Sequence, residues 1–541
     1  MEFTYSKKRE KSSAAQRSVA VGTRGMVSSS HYLATMAGSR ILSRGGNAID
    51  AAIAMVSTLN VVEPQSVGIG GDAFALIYLS KDEKLVGMNG SGRAPYQATM
   101  EWFRQHKMKE IPEKGILPVT VPGALHGWAQ ALERYGTLSL AEVLKDAIIY
   151  AKEGFPVTEV IAGEWKQVEA SLRTNDAAAK TYLVHGEAPR PGYRFRNPDL
   201  ARTLQMVASD GIRGFYEGEL RDAIVRCSTG LGGLLTDKDF ADHTTTWVEP
   251  ISTDYRGYEL YELPPNGQGV AALQMLNVLE GYDLAALGHN SPDHVHVLME
   301  AKKAAFSDRD TFITDPEFEK IPLDQLLSRE YAKIVRDRIS MSNAMPSPPA
   351  LAYSRPSDTV YVTAVDEERN AVSFISSIFH HFGSGVVVDG TGIVLQNRGR
   401  SFSLDTRHFN RLMPHKRPMH TIIPAMLFKD RRFVMSFGVV GADMQPQGQV
   451  QFLSNLIDFK MNLQEAMDAP RARHIEGMKI YVEEGISDET VSALRSRGHH
   501  VVGREFATNQ VGGGQAIYLD REQDVLLGAS DRRKDGCAIG Y

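Results

Sequence analysis

The residue best placed to act as a catalytic group in this chain is Thr359, which begins a predicted strand. It follows a polar, proline-containing segment, residues 354–358, that is typical of a loop. Residues 359–366 then alternate hydroxyl or aromatic side chains with apolar ones, and this period of two predicts a strand. A turn at 367–370 leads to a second predicted strand, 371–379. From these residues alone, an ordinary surface hairpin is also a complete explanation.

A threonine in this position fits one known catalytic design. In a hydrolase precursor cut just before a threonine, the hydroxyl becomes the nucleophile and the newly freed α-amine becomes its base. The reference pKa of an α-amine, about 7.7 to 8.0, suits proton transfer near neutral pH. The segment 340–357 contains four prolines and several serines, and it is the most linker-like part of the chain.

Other catalytic signatures are absent from the sequence. It has no Gly-x-Ser-x-Gly elbow, no His-Glu-x-x-His, no phosphate-binding Gly-x-x-x-x-Gly-Lys-Ser/Thr and no Cys-x-x-Cys. The glycine cluster 68–71 precedes a predicted strand, whereas a dinucleotide-binding loop follows one. His294 and His296 are two residues apart on a predicted helix and do not share a face, so we expect packed or solvated histidines there. The sequence therefore predicts neither a metal nor an organic cofactor.

The composition sets the class of protein and its partners. A chain of 541 residues exceeds the usual size of a single core, so it predicts a large α/β unit or several domains. The charged fraction of 23% and the net charge of -5 give no reason to expect nucleic acid or an anionic membrane as partner. The two cysteines are too few for a disulfide framework. No apolar run predicts a signal peptide or a membrane span, so we expect a cytoplasmic protein. Because the charge favours neither nucleic acid nor membrane, we expect a small molecule as its partner.

The predicted elements place helices mainly before the linker and strands mainly after it. Asn47 is a predicted N-cap for an alanine-rich helix over 48–59. The other predicted helices cover 31–42, 291–309 and 445–458, with a helix-rich region from about 119 to 250. The other predicted strands cover 19–27, 73–79, 255–263, 385–389, 393–397 and 421–437.

Several motifs together resemble the γ-glutamyltransferase (γ-glutamyltranspeptidase) family of N-terminal nucleophile hydrolases. The N-terminal signature matches almost residue for residue, and the remaining matches extend to about residue 530. The matching segments are Gly45-Gly46-Asn47-Ala48-Ile49-Asp50-Ala51-Ala52, Asn60-Val61-Val62-Glu63-Pro64-Gln65, Gly68-Ile69-Gly70-Gly71, Val121-Pro122-Gly123, 300–309, 359–372 and Phe382-Gly383-Ser384-Gly385.

The resemblance implies an αββα sandwich and self-cleavage between Asp358 and Thr359. The products are a large subunit, 1–358, and a small subunit, 359–541, and two such heterodimers can pair. Thr359 takes the role of nucleophile, and Ser377 lies where the family has a second hydroxyl bonded to it. Gly441 and Ala442 match the glycine pair whose N–H groups form the oxyanion hole, and we expect a negative φ at Ala442 because alanine replaces glycine there.

The predicted substrate-binding positions depart from the family. Ser401 falls where glutathione-cleaving members have the aspartate that binds the α-ammonium of the γ-glutamyl group. Phe379 replaces an asparagine ligand of that amine, and His420-Thr421 replace tandem serines. The family's carboxylate-binding arginine falls on Ser91, with Arg93 two positions away. Arg398 and Arg400 stand where the family has a glutamine and an acid, and they point either into the pocket or to solvent.

The sequence thus predicts a self-processing threonine amidohydrolase or acyltransferase that acts on γ-glutamyl-type amides. One alternative is an amidohydrolase of acidic amides without the α-amine, oxamate-like or glutaryl amides as in cephalosporin acylases, because an unpaired buried ammonium is costly. A second alternative is an unprocessed, non-catalytic binding protein with the same fold.

Overall fold

Two seven-stranded antiparallel sheets form the centre of the molecule in the computed structural model, which describes residues 17–346, 359–505 and 508–541. We call the sheet that follows Thr359 the nucleophile sheet and the other the second sheet. In spatial order, the nucleophile sheet consists of Cys537–Gly540, Met26–Ser29, Val360–Val365, Ala371–Ser377, Asp72–Leu79, Lys84–Gly90 and Thr246–Val248. The second sheet consists of Ala20–Gly22, Val525–Ser530, Gly514–Asp520, Arg432–Val439, Ala425–Lys429, Tyr258–Glu262 and Ile251–Tyr255.

The predicted hairpin after Thr359 is the middle of the nucleophile sheet. Its strands Val360–Val365 and Ala371–Ser377 pair antiparallel, with Val360 opposite Ser376, and every residue in both is buried. The Asp366 carboxylate closes the turn by accepting hydrogen bonds from the backbone N–H and the side-chain amide of Asn370. The hairpin strands are therefore interior elements, whereas the loop predicted to enter them, 354–358, lies outside the described residues.

The two sheets pack face to face, as the alternation of side chains requires. Phe74, Leu76 and Tyr361 of the nucleophile sheet share one buried apolar cluster with Met426 and Phe433 of the second sheet. The side chains on the opposite faces of both sheets join the helices outside.

Helices cover both outer faces and complete four layers. Ala48–Val62, fully buried and capped by Asn47 through a capping box, packs on the nucleophile sheet, and Gly269–Leu279 and Met444–Ile457 pack on the second. This is the expected αββα sandwich. The helices of eight or more residues are Tyr32–Ser43, Ala48–Val62, Ala124–Tyr135, Lys145–Glu153, Glu159–Gln167, Pro198–Asp210, Glu219–Gly230, Gly269–Leu279, Pro292–Phe312, Arg329–Arg338, Met444–Ile457 and Asp488–Ser496.

Several predicted strands are shorter or divided. The predicted strand 255–263 contains the turn and the second strand, Tyr258–Glu262, of a hairpin whose first strand is Ile251–Tyr255. The turn has positive φ at Arg256 and Gly257, 54° and 77°. The predicted strand 421–437 divides at Asp430 and Arg431, which also have positive φ. Arg-Gly and Asp-Arg are weak turn signals, so the pattern of apolar residues concealed both turns. The strands predicted at 385–389 and 393–397 are the two-residue strands Val387–Val388 and Ile393–Val394.

Within residues 17–346, 359–505 and 508–541, no helix is both long enough and apolar enough to cross a membrane.

Candidate active site

Thr359 and Ser377 meet at the end of the nucleophile sheet. Thr359 is 2% exposed, and its Oγ donates a hydrogen bond to Ser377 Oγ over 3.2 Å. Because Val360 lies opposite Ser376, the antiparallel register places the last residue of one strand beside the residue that precedes the other. Ser377 Oγ also accepts the backbone N–H of Phe379 at 2.8 Å. The predicted nucleophile therefore lies in a buried pair of hydroxyl groups.

The loop Val440–Asp443, which we call the oxyanion loop, leaves the second sheet at the same end of the molecule. Across the two sheets, Thr363 Oγ bonds Ser436 Oγ at 2.8 Å, and a Cβ on Gly438 would lie 2.5 Å from the Tyr361 ring. These contacts between the sheets advance by two residues along each strand. One further step places Thr359 level with Val440, where the oxyanion loop begins. Among the described residues, the N–H groups of Gly441 and Ala442 donate to no other group. Two such donors are what an oxyanion hole requires.

The backbone at Ala442 differs from the expectation of a negative φ. Its φ is +50°, and that of Gly441 is +115°. The left-handed conformation costs a residue with a Cβ roughly 1–2 kcal/mol. The Ala442 carbonyl accepts hydrogen bonds from Gln268 Nε2 at 2.9 Å and from the Gln445 N–H at 3.0 Å, and these bonds hold it in place.

Arg398 lies beside the two hydroxyl groups. Its side chain is completely buried, and its guanidinium donates to Thr421 Oγ at 2.9 Å and to Ser377 Oγ at 3.5 Å. The guanidinium carbon lies 4.0 Å from the centre of the Phe379 ring, within the range of a cation–π interaction. Phe379 itself has a φ of +79°, which is a genuine outlier for a bulky residue. A guanidinium group therefore lies beside the Thr359–Ser377 pair.

Arg400, two residues later, takes a different direction. It pairs at 2.8 Å with Glu110, whose side chain is 70% exposed. Arg398 to Ser401 form a 3₁₀ turn, and residues two apart in such a turn point to different sides. The structure thus separates two arginines that the sequence left equivalent.

Three more of the residues predicted near the substrate, Ser401, His420 and Thr421, are buried. The backbone carbonyl of Ser401 accepts a hydrogen bond from Asn410 Nδ2 at 2.7 Å. His420 Nε2 bonds the Asp72 carboxylate at 2.9 Å. Burial, and secondly the charge of Arg398, lower the pKa of His420 to about 4, so the ring is neutral at neutral pH and Nε2–H is the donor. Thr421 links this segment to Arg398.

Arg93 is held by acidic residues of the chain itself. It is 5% exposed, and one of its nitrogens lies 2.8 and 3.0 Å from the two carboxylate oxygens of Glu317. Its other terminal nitrogen reaches Asp315 at 3.4 Å. A substrate carboxylate would therefore have to displace Glu317, which is half-exposed. The assignment of Arg93 as a substrate ligand stays a prediction.

One group of side chains has the composition of a metal site. Donor atoms of His296, Glu300 and His499 lie within 4.8 Å of one another. However, Lys303 Nζ lies 2.7 Å from Glu300 and supplies its positive charge, while His296 Nδ1 and His499 Nε2 are paired at 2.8 Å. The group is an internal ion pair beside a histidine pair, and both His294 and His296 are packed in the interior.

Sequence reasoning missed Asp72 and Gln268. Asp72 follows the recognised glycine cluster, but only its contact with His420 gives it a place in the site. Gln268, between two glycines after a double proline, had no recognisable signal. Its side chain bonds the backbone carbonyls of Thr421 and Ala442.

Comparison with known proteins places the chain in one family. The family model for gamma-glutamyltranspeptidase matches residues 34–541. The "Glutathione hydrolase-like YwrD proenzyme" of Bacillus subtilis is 41% identical over 96% of this chain and 99% of its own length. The "Oxamate amidohydrolase proenzyme" of Klebsiella pneumoniae is 36% identical over 96% and 99%. A crystal structure of cephalosporin acylase from Bacillus halodurans superposes with a TM-score of 0.92 at 42% identity, covering 100% of this chain and 99% of that one. The chain is therefore a hydrolase of the γ-glutamyltranspeptidase family, with the N-terminal nucleophile hydrolase fold.

Proposed function

We propose that the chain is a precursor that cleaves itself between Asp358 and Thr359 and then hydrolyses or transfers γ-glutamyl-type amides. The subunits are then 1–358 and 359–541. The observation that carries the proposal is the buried Thr359–Ser377 hydroxyl pair, level with the Gly441 and Ala442 N–H groups, which donate to no group among the described residues. Asp358 lies outside the described residues. The word proenzyme in the names of the relatives supports a processed precursor.

The reaction needs only groups of the chain and water. Thr359 Oγ attacks the amide carbon while its proton passes to the α-amine freed by cleavage, and the oxyanion accepts the N–H groups of Gly441 and Ala442. The C–N bond breaks, the leaving amine takes the proton from the α-amine, and an ester remains on Thr359. Water, deprotonated by the same amine, then releases the acid. A second amine in place of water gives transfer.

The charge of Arg398 supports an acyl group that carries a carboxylate. A guanidinium can bind a carboxylate through two parallel hydrogen bonds. The same charge favours the neutral form of a nearby amine, and the base of the reaction must be neutral to accept a proton. A γ-glutamyl group has the required carboxylate.

A second candidate follows from the same residue. A γ-glutamyl group also carries an α-ammonium, which a nearby guanidinium repels, and Ser401 offers no negative charge to bind it. Amides of dicarboxylic acids without that amine, such as glutaryl amides or oxamate, keep the carboxylate and avoid the repulsion.

A pair of substrates that differ only in the α-amine separates the candidates. We expect wild-type protein to hydrolyse γ-glutamyl-p-nitroanilide or glutaryl-p-nitroanilide, and the ratio of their kcat/KM values identifies which acyl group the site prefers. Preference for the first supports the γ-glutamyl assignment, and preference for the second, or for oxamate, supports the amine-free acids. Intact mass tests the processing step. A single inactive species of 59.6 kDa would favour a non-catalytic binding protein instead.

A further inference from the structure

Gln268 lies between the two halves of the candidate site and holds one backbone carbonyl from each. Its side chain is completely buried. Nε2 donates to the carbonyl of Thr421 at 2.7 Å and to the carbonyl of Ala442 at 2.9 Å. Thr421 is a neighbour of Arg398, and Ala442 belongs to the oxyanion loop. One amide group therefore connects the segment beside Arg398 with the oxyanion loop.

The opposite side of the same amide is fixed by Arg309. A terminal nitrogen of Arg309 donates to Gln268 Oε1 at 2.7 Å and to an oxygen of Asp443 at 2.6 Å. This charged group determines the orientation of the amide, because its oxygen must face the guanidinium and its nitrogen must face the two carbonyls. Arg309 also holds Asp443 directly, so both bonds act on the oxyanion loop from one point.

No other side chain of similar size and shape meets these demands. The position requires two donors and one acceptor on a single flat group, which glutamine supplies. A glutamate would direct an oxygen at two carbonyl oxygens, and a methionine would leave both carbonyls without this bond. The requirement is strongest at Ala442, whose φ of +50° is unfavourable for alanine and has to be held by its surroundings.

From these contacts we infer that Gln268 is a positioning residue, which fixes the oxyanion loop relative to Thr421 so that the two N–H donors and Arg398 address the same bound substrate. The inference rests on the proposed function, since it assigns Gln268 a part in that reaction. Gln268 acts through the backbone of the oxyanion loop and makes no contact with the substrate. Loss of its bonds should therefore lower kcat more than it raises KM.

The test compares Gln268→Met with Gln274→Met. Gln274 lies on the helix Gly269–Leu279 that begins after Gln268, is 5% exposed and bonds Asp308 at 2.8 Å, but contacts neither Thr421 nor Ala442. Because small displacements of catalytic groups cost about 100-fold in rate, we expect Gln268→Met to lower kcat by about 10- to 100-fold with KM changed less than about threefold. Gln274→Met should keep kcat within about threefold. Thermal unfolding of both variants measures the structural cost.

A second background distinguishes positioning from general loss of structure. Glycine tolerates the φ of residue 442 without help, so the loss of kcat from Gln268→Met should be smaller when Ala442→Gly is also present. Equal losses in both backgrounds, a change confined to KM, or an unchanged kcat would overturn the inference. If Gln268→Met does not fold, Gln268→Glu keeps the size and the contact with Arg309. We expect it to lose kcat as well, and normal kcat in that variant would count against the inference.

The wild-type control separates this inference from the proposed function. Wild-type protein that is processed and active, together with an unimpaired Gln268→Met, contradicts only the role of Gln268. Wild-type protein that hydrolyses none of γ-glutamyl-p-nitroanilide, glutaryl-p-nitroanilide and oxamate contradicts the proposed function and, with it, the role of Gln268.

Discussion

The two halves of the candidate site are built in different ways. The half that contains Thr359, Ser377 and the oxyanion loop comes from strand ends, and the register of paired strands fixes its geometry. The half that contains Arg398, His420 and Thr421 comes from irregular segments, and its geometry depends on individual side-chain contacts. Under the proposed function, the first half carries out the chemistry common to different amides, and the second half is the part expected to select the acyl group.

We call the half formed by strand ends, with Thr359, Ser377 and the oxyanion loop, the strand-built half. Its most severe test is Thr359→Ala. We expect no measurable amide hydrolysis and a single uncut chain, because the same hydroxyl is required for self-cleavage and for substrate attack. Intact mass and p-nitroanilide release measure both effects. Thr359→Ser, which keeps a hydroxyl, is the control and should retain processing. A Thr359→Ala protein that still separates into two subunits would refute the assignment.

The next largest effect should come from the second half, in the pair Arg398→Met and Arg400→Met. A hydrogen bond to a charged group contributes about 1.5–3 kcal/mol, so Arg398→Met should lower kcat/KM for glutaryl-p-nitroanilide by about 10- to 100-fold. The γ-glutamyl amide should lose less, because its ammonium no longer faces a guanidinium. Arg400→Met, which removes only the contact with Glu110, should stay within about threefold. Equal losses in the two variants would show that Arg398 has no special place.

A smaller effect is expected in the dependence of stability on pH. The pKa of His420 is lowered from 6.5 to about 4, so the unfolded chain binds the proton more readily and the folded protein loses stability as the pH falls below 6.5. Between pH 6.5 and 5 this amounts to about 2 kcal/mol, since one pKa unit corresponds to about 1.4 kcal/mol. Chemical denaturation at the two pH values measures this. The unfolding free energy of His420→Gln should fall by about 2 kcal/mol less than that of the wild type.

His294→Gln is the matched control for that measurement. Burial lowers the pKa of His294 to about 3, and the residue lies outside the candidate site. Both variants should therefore flatten the profile of stability against pH, but only His420→Gln should change the kinetics of amide hydrolysis. A change in the kinetics of both variants would contradict a local role for His420.

The smallest effect should appear at Ala442 in the strand-built half. Ala442→Gly removes the unfavourable left-handed alanine but adds the chain entropy of glycine, so we expect a gain in unfolding free energy of about 1 kcal/mol or less. Ala272→Gly, in the buried helix Gly269–Leu279, should instead lose about 1 kcal/mol or more. Chemical denaturation measures both, and a loss at residue 442 equal to that at 272 would mean that the backbone there is unstrained.

The sequence alone determined the architecture and, in the strand-built half, the candidate nucleophile. Alternating side chains predict strands, and the motif around Asn47 predicts a capped helix, because such patterns express local rules of backbone geometry. The position of Thr359 between a linker and a strand, together with the family motifs, identified the candidate nucleophile. The αββα fold and the family were confirmed.

Only the tertiary structure decided the second half, the contacts of Arg93 and, within the strand-built half, the backbone of Ala442. Arg398 is buried against Phe379, and Arg400 pairs with Glu110 at the surface, although the two differ by only two positions. Arg93 is already engaged by Glu317, and Ala442 adopts a positive φ. Each of these outcomes depends on a partner far away in the chain, such as Gln268 for Ala442, and on the direction of a side chain leaving an irregular segment. A sequence pattern contains neither, because both are fixed only when the layers pack together.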